Sequence, residues 1–210
     1  MTEPQRLRAA LRAALWAALP VVPGRQWLDG ALARLAERPE TIARSFAAAG
    51  RNTGRTPLPD APGWTADEAA RALLLAALPQ DRVTQEVAVL YRYGDAREKR
   101  AVLKALPMLE AGPAAVPLLH DAIRTNDARL VAAALGPCAR DLDQAAWRQA
   151  VLKCVFMDVP LAVVDGLEER ADAELAAMLA GLAEERAAAG RSIPADATTL
   201  LSRLTAEKEA

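Results

Sequence analysis

The chain has 210 residues, 52% hydrophobic and 25% charged, which excludes a disordered protein and gives enough length to bury a sizeable core. A formal net charge of −1 and only 4% aromatic residues provide no bulk attraction to nucleic acid or an acidic membrane and too few rings for base-stacking platforms. Alanine, leucine and arginine dominate over β-branched residues, a mix that favours helix over strand.

Taken in chain order, proline and glycine punctuate helix-length pieces. Residues 5–19 place Leu7, Leu11, Leu15 and Ala18 on one face, with Pro20 as the stop. Arg8 and Arg12 interrupt the apolar part and no small-residue cleavage site follows, so the segment reads as an amphipathic helix and not as a targeting signal. A second helix over 27–37 carries Trp27, Leu28, Ala31 and Leu35, and a third over 40–49 stops at Gly50. Residues 50–64, GRNTGRTPLPDAPGW, form the one long loop, either a hinge or a functional loop.

Thr65 with Glu68 three residues on is a capping box, starting a helix over 66–78. Helices are then expected over 82–93, 96–109, 114–124, 128–135, 142–157 and 161–168. A long helix follows Asp172, a good N-cap, and stops at Gly190. One short frayed helix is expected after Pro194. No segment alternates apolar and polar β-branched residues, so no sheet is expected, and no run approaches the ~20 apolar residues of a membrane span. The fold class is all-α, in stacked antiparallel helices.

A partial repeat bears on how the helices stack. AVLKALPML begins at Ala101 and AVLKCVFMD at Ala150, while AVPLL at 115–119 is echoed by DVPLA at 158–162. The spacing is near the ~40–47 residues of HEAT and armadillo arrays, so repeat-like packing is one arrangement and an unrelated helical stack is the other.

Several polar residues break the apolar pattern. Lys153 lies beside Gln149 in a narrow polar stripe of a helix that is otherwise apolar, with Trp147, Ala150, Val151, Cys154 and Val155 on one face and Leu152 and Phe156 on another. Such a helix reads as an inner one, and the lysine either snorkels to water or meets a carboxylate or cavity. Arg186 continues the Leu175, Leu179 and Leu182 face, where it either caps carbonyls or holds Asp165, Glu168 or an anionic ligand. Arg71 shares a face with Leu74, Leu75 and Leu78, and two arginines on apolar faces suggest a buried ionic network. His120 is the only histidine, which does not suit a metal site. Cys138 and Cys154 are too few for a disulfide framework or a zinc site and read as buried free thiols. A pairing of His120 with either cysteine is the residual catalytic option. No phosphate-binding glycine loop, nucleophile elbow or zinc signature is present.

The last two-thirds of the chain resembles the EboA family. The resemblance rests on Trp64 followed by DEAAR, RTN at 124–126, Trp147 with VLKCVF at 151–156, and PLAVVDGLEERADAELAAMLAGLAEERAAAGR at 160–191. The chain departs from the family pattern in two places. Gly136, Pro137 and Cys138 stand where an asparagine–proline–tyrosine turn precedes the tryptophan helix, and Asp172 stands where an asparagine follows the Arg170 and Ala171 pair. These mark a divergent member. The resemblance implies an all-helical protein of bacterial gene clusters linked to metabolite traffic, beside prenyltransferase-like and TatD-type hydrolase-like enzymes. The polar residues that match its motif are Arg124, Asn126, Lys153, Arg170, Glu185 and Arg186, with Arg71, His120 and Trp147 as weaker candidates.

The expected organisation is one continuous domain: an N-terminal helical segment (1–50), an EboA-like domain (64–194) and a tail (195–210). The expected role is a soluble, cytoplasmic, non-enzymatic protein that binds a metabolite or a pathway enzyme, with no cofactor or metal. Lys153, Arg170 and Arg186 would stand at the base of an apolar pocket, suited to an acidic or phenolic metabolite. A scaffold docking pathway enzymes without a small molecule is the alternative. An enzyme using Lys153 as base or Schiff-base nucleophile is the third.

Overall fold

The computed structural model describes residues 1–19 and 24–209. Among them lie twelve α-helices joined by short 3₁₀ turns, with no strand, so the chain is all-α. The expected stop at Pro20 lies outside the described residues. The chain divides into two compact units, Met1–Leu118 and Leu119–Ala210.

The first unit holds α1 (Glu3–Ala18), α2 (Gln26–Glu37), α3 (Ile42–Thr53), α4 (Ala66–Ala76), α5 (Gln80–Tyr93) and α6 (Ala96–Leu109). Its inner helix is α4, which packs against α6, α3 and α1. Every residue from Ala66 to Leu75 is buried, because the small alanines let neighbouring backbones approach while Leu73, Leu74 and Leu75 fill the space between them. Each such leucine contributes about 1.5–3 kcal/mol by leaving water. The expected capping box forms: Thr65 N donates to the Glu68 carboxylate at 3.1 Å.

The third helix corrects the expected stop at Gly50, since α3 runs through that glycine to Thr53. Gly54, at φ 74°, takes the positive-φ conformation open to glycine and ends the helix. The long loop that follows is tied down: Leu58 N donates to Trp64 O at 2.9 Å, Pro57 bridges Thr65, and Leu58 is buried.

The second unit takes up the chain within α7 (Val116–Arg124) and holds α8 (Ala128–Ala134), α9 (Gln144–Phe156), α10 (Leu167–Arg170), α11 (Ala173–Ala188) and α12 (Ala195–Glu209). α9 packs against α8 and α11, and α11 packs against α12. Asp143 and Asp172 cap α9 and α11 through their carboxylates. The helix expected over 161–168 is instead a 3₁₀ turn (Leu161–Val163) and the single turn α10, broken at Gly166, whose φ of 67° a continuous helix cannot contain. The tail helix is longer than expected, because Ala197, Leu200 and Leu204 give it a buried face. α9 is less enclosed than its apolar sequence suggests: Phe156 is 64% exposed and Leu152 half-buried. The two AVLK phrases fall on α6 and α9, but AVPLL is largely in α7 while its echo DVPLA contains a 3₁₀ turn.

Candidate functional site

The cations singled out on α9, α10 and α11 each meet backbone carbonyls. Lys153 Nζ donates to Ile123 O at 2.7 Å, in the last turn of α7. Arg170 Nη1 donates to Ala139 O at 2.8 Å and Nη2 to Leu142 O at 3.0 Å, while Nε and Nη2 both reach Gln144 Oε1. Its guanidinium lies over the fully buried Trp147 ring, 4.7 Å from the centroid, and burial lowers its pKa. Trp147 Nε1 has no hydrogen-bond partner among the described residues. Arg186 Nη2 donates to Phe156 O at 2.7 Å and Val155 O at 3.3 Å, at the C-terminal end of α9. Arg186 pairs with Asp158, at 3.3 Å, and not with Asp165 or Glu168. Asp158 takes φ 55° just past α9, a left-handed position that aspartate tolerates better than most residues.

These three cations share no partner. Each occupies carbonyls at a different helix or turn end, where the backbone has acceptors left over. Arg124 is exposed and pairs with Asp121 at 3.6 Å; Asn126 and Glu185 are exposed. His120 is half-buried on α7. Among the described residues no cluster of histidine, cysteine, aspartate or glutamate could hold a metal ion. Burial pushes the Cys138 thiol up to about 11 and the Cys154 thiol up to about 12, so neither supplies a thiolate near neutral pH.

Arg71 belongs to a different set, in the first unit. Its Nη1 donates to Asp67 at 2.7 Å, its Nε to Phe46 O at 3.1 Å, and its guanidinium lies over the Phe46 ring. One residue along α4, Glu68 accepts from Arg100 at 2.6 Å and from Lys104 at 2.5 Å, in addition to the Thr65 amide. Lys104 also donates to Gly63 O at 2.6 Å and sits over the Trp64 ring. Burial pulls the Lys104 ammonium below its ordinary pKa, with Glu68 opposing the shift. Sequence reasoning placed Arg71 in an ionic network but read Glu68 only as a cap. The overlooked signal was Arg100 and Lys104 at i, i+4 on α6, a cationic pair on one helix face. This network locks α4, α6 and the 54–65 loop together, and its charges satisfy one another.

Open space for a ligand lies elsewhere. A groove of about 720 Å³ in the second unit runs between Gly136 and Pro137, residues 161–169, and α12. From α12 it takes Asp196, Thr199, Leu200 and Arg203, spaced i, i+3, i+4 and i+7 on one face. Leu161, Val164, Pro137 and Leu200 supply apolar wall. Four carboxylates, Asp165, Glu168, Glu169 and Asp196, stand against the one guanidinium of Arg203. Asp196 receives the Leu161 amide at 2.7 Å and Glu168 pairs with Arg203, whereas Asp165 and Glu169 accept no side-chain hydrogen bond from a described residue. None of Lys153, Arg170 and Arg186 lines it.

Comparison with known families gives a match over residues 47–202 to the model described as Metabolite traffic protein EboA. That segment contains α4 with its ionic partners and every residue of the groove except Arg203. No curated protein and no solved structure matches the chain.

Proposed function

The chain belongs to the EboA family of metabolite traffic proteins, and on that premise we propose that it holds a small metabolite in the groove beside α12 without transforming it. The volume, about 720 Å³, is the observation that carries this reading, since small-molecule sites occupy ~300–1,000 Å³ with apolar walls and a few polar groups. The free acceptors Asp165 and Glu169 suit a ligand that donates hydroxyl hydrogens and disfavour one that brings a carboxylate of its own. Of the acidic and phenolic ligands that the sequence suggested, the phenolic class therefore fits. Lys153, Arg170 and Arg186 serve as braces of the surrounding helices and not as ligand contacts. The two free thiols suit a reducing, cytoplasmic compartment. Calorimetric titration with p-cresol and with benzoate tests the reading. Saturable binding of the phenol, lost in Leu200→Trp, is expected; equal or preferential binding of benzoate would contradict it.

A second reading, a scaffold for pathway enzymes, draws on Val89 and Tyr93, exposed one turn apart on α5. It requires that purified prenyltransferase-like or TatD-type hydrolase-like partners bind the Leu200→Trp chain as well as wild type.

A further inference from the structure

Four arginines of the first unit line one cavity and lack partners among the described residues. On α2 and just past its end, Trp27, Arg34 and Arg38 fall at i, i+7 and i+11; on α3, Arg44, Ala48 and Arg51 fall at i, i+4 and i+7. Each spacing keeps its set on one helix face. The apolar sides of the same helices, with Leu28, Ala31 and Leu35 on α2 and Ile42, Phe46 and Ala49 on α3, are buried, which turns the arginine faces outward around a shared concavity. That cavity measures about 590 Å³ and is more enclosed than the groove of the second unit. No carboxylate lines it, and among the described residues none of the four guanidiniums makes an ion pair or a hydrogen bond. The buried Arg71 and the half-buried Arg148 and Arg170 meet carboxylates or carbonyls, whereas these four are exposed and face one another across the cavity.

Four like charges facing one concavity repel one another, and a bound anion relieves that repulsion. Guanidinium forks match phosphate oxygens two at a time, so a ligand with two adjacent phosphate groups can engage several of them at once. Trp27, half-buried among the lining residues, is an aromatic contact for the organic part of such a ligand. A nucleic-acid strand fits less well, because the arginines surround a cavity instead of forming a stripe and a single ring accompanies them. We propose that this cavity binds a small diphosphate-class oxyanion. It lies mostly ahead of the family-matched segment and is independent of the groove beside α12.

The test is titration of the full chain with inorganic pyrophosphate at low salt, read by calorimetry and by tryptophan fluorescence, with Trp27→Phe assigning the optical signal. Expected are saturable binding, tighter than that of citrate, and a loss of about tenfold or more in affinity for each of Arg34→Gln and Arg44→Gln. All four arginines are exposed, so these variants retain the fold, which their circular dichroism checks. Leu200→Trp leaves pyrophosphate binding unchanged, which separates this site from the groove. Absence of saturation at millimolar pyrophosphate, or unchanged affinity in the Arg34→Gln, Arg44→Gln double variant, would overturn the proposal. So would tighter arginine-dependent binding to phosphatidylglycerol vesicles or to single-stranded RNA than to pyrophosphate.

Discussion

Glu68 is 3% exposed and accepts hydrogen bonds from a backbone amide, a guanidinium and an ammonium, so removing its carboxylate strands two cations at once. Glu68→Ala is expected to cost about 3–5 kcal/mol in urea unfolding, the range for breaking a buried charge network from one side. Asp172 is half-buried and has a definite pH signature. The Arg148 guanidinium beside it, with the Leu175 amide and Gln144, holds its carboxyl well below the usual range. Its folded pKa lies below its unfolded value, so its contribution is complete above the unfolded carboxyl pKa of about 3.9 and is lost as pH falls toward the folded value. Acid unfolding of wild type should therefore be steeper between about pH 4 and pH 2 than that of Asp172→Asn, as followed by circular dichroism.

Helix ends organise much of the polar chemistry. Arg8 donates to Met108 O in the last turn of α6, Arg25 to Leu19 O past α1, Lys153 to Ile123 O in α7, and Arg186 to the last carbonyls of α9. Each cation occupies acceptors that the helix itself leaves open. The element boundaries were legible where capping residues and glycines act locally: the Thr65 and Glu68 box, Asp172 ahead of α11, and Ala96–Leu109 as found. The partners were not legible, because periodicity shows which face a residue occupies and not what the fold brings against it. Lys153 was readable as the one cation of a polar stripe, but Ile123 lies thirty positions away. Residues 161–168 were misread for a related reason, since a leucine- and valine-rich run looks helical until Gly166 takes a left-handed turn. At Gly94 the constraint is space. A Cβ there would stand 2.6 Å from Leu90 O and 2.9 Å from Glu98 Cβ, where α5 turns into α6. Gly94→Ala is expected to cost about 1–3 kcal/mol in the same urea assay, as overpacking does.

Across the whole molecule, charge is distributed unevenly despite a net value of −1. The first unit buries a balanced network on α4 and leaves four arginines around a cavity; the second unit has an acid-rich groove. Composition averages over these features, which is why neither site was legible beforehand, although most of the groove residues lie in the segment that resembles the family. Family membership points to metabolite traffic, and the groove is the proposed place for a metabolite to be held. No helix among the described residues is long and apolar enough to cross a membrane. The most direct measurement is an amide NMR titration of the full chain with p-cresol. Saturable shifts confined to residues 161–169 and to Asp196, Thr199, Leu200 and Arg203, and abolished by Leu200→Trp, are the predicted result. Shifts that never saturate, or that persist undiminished in Leu200→Trp, would contradict the account.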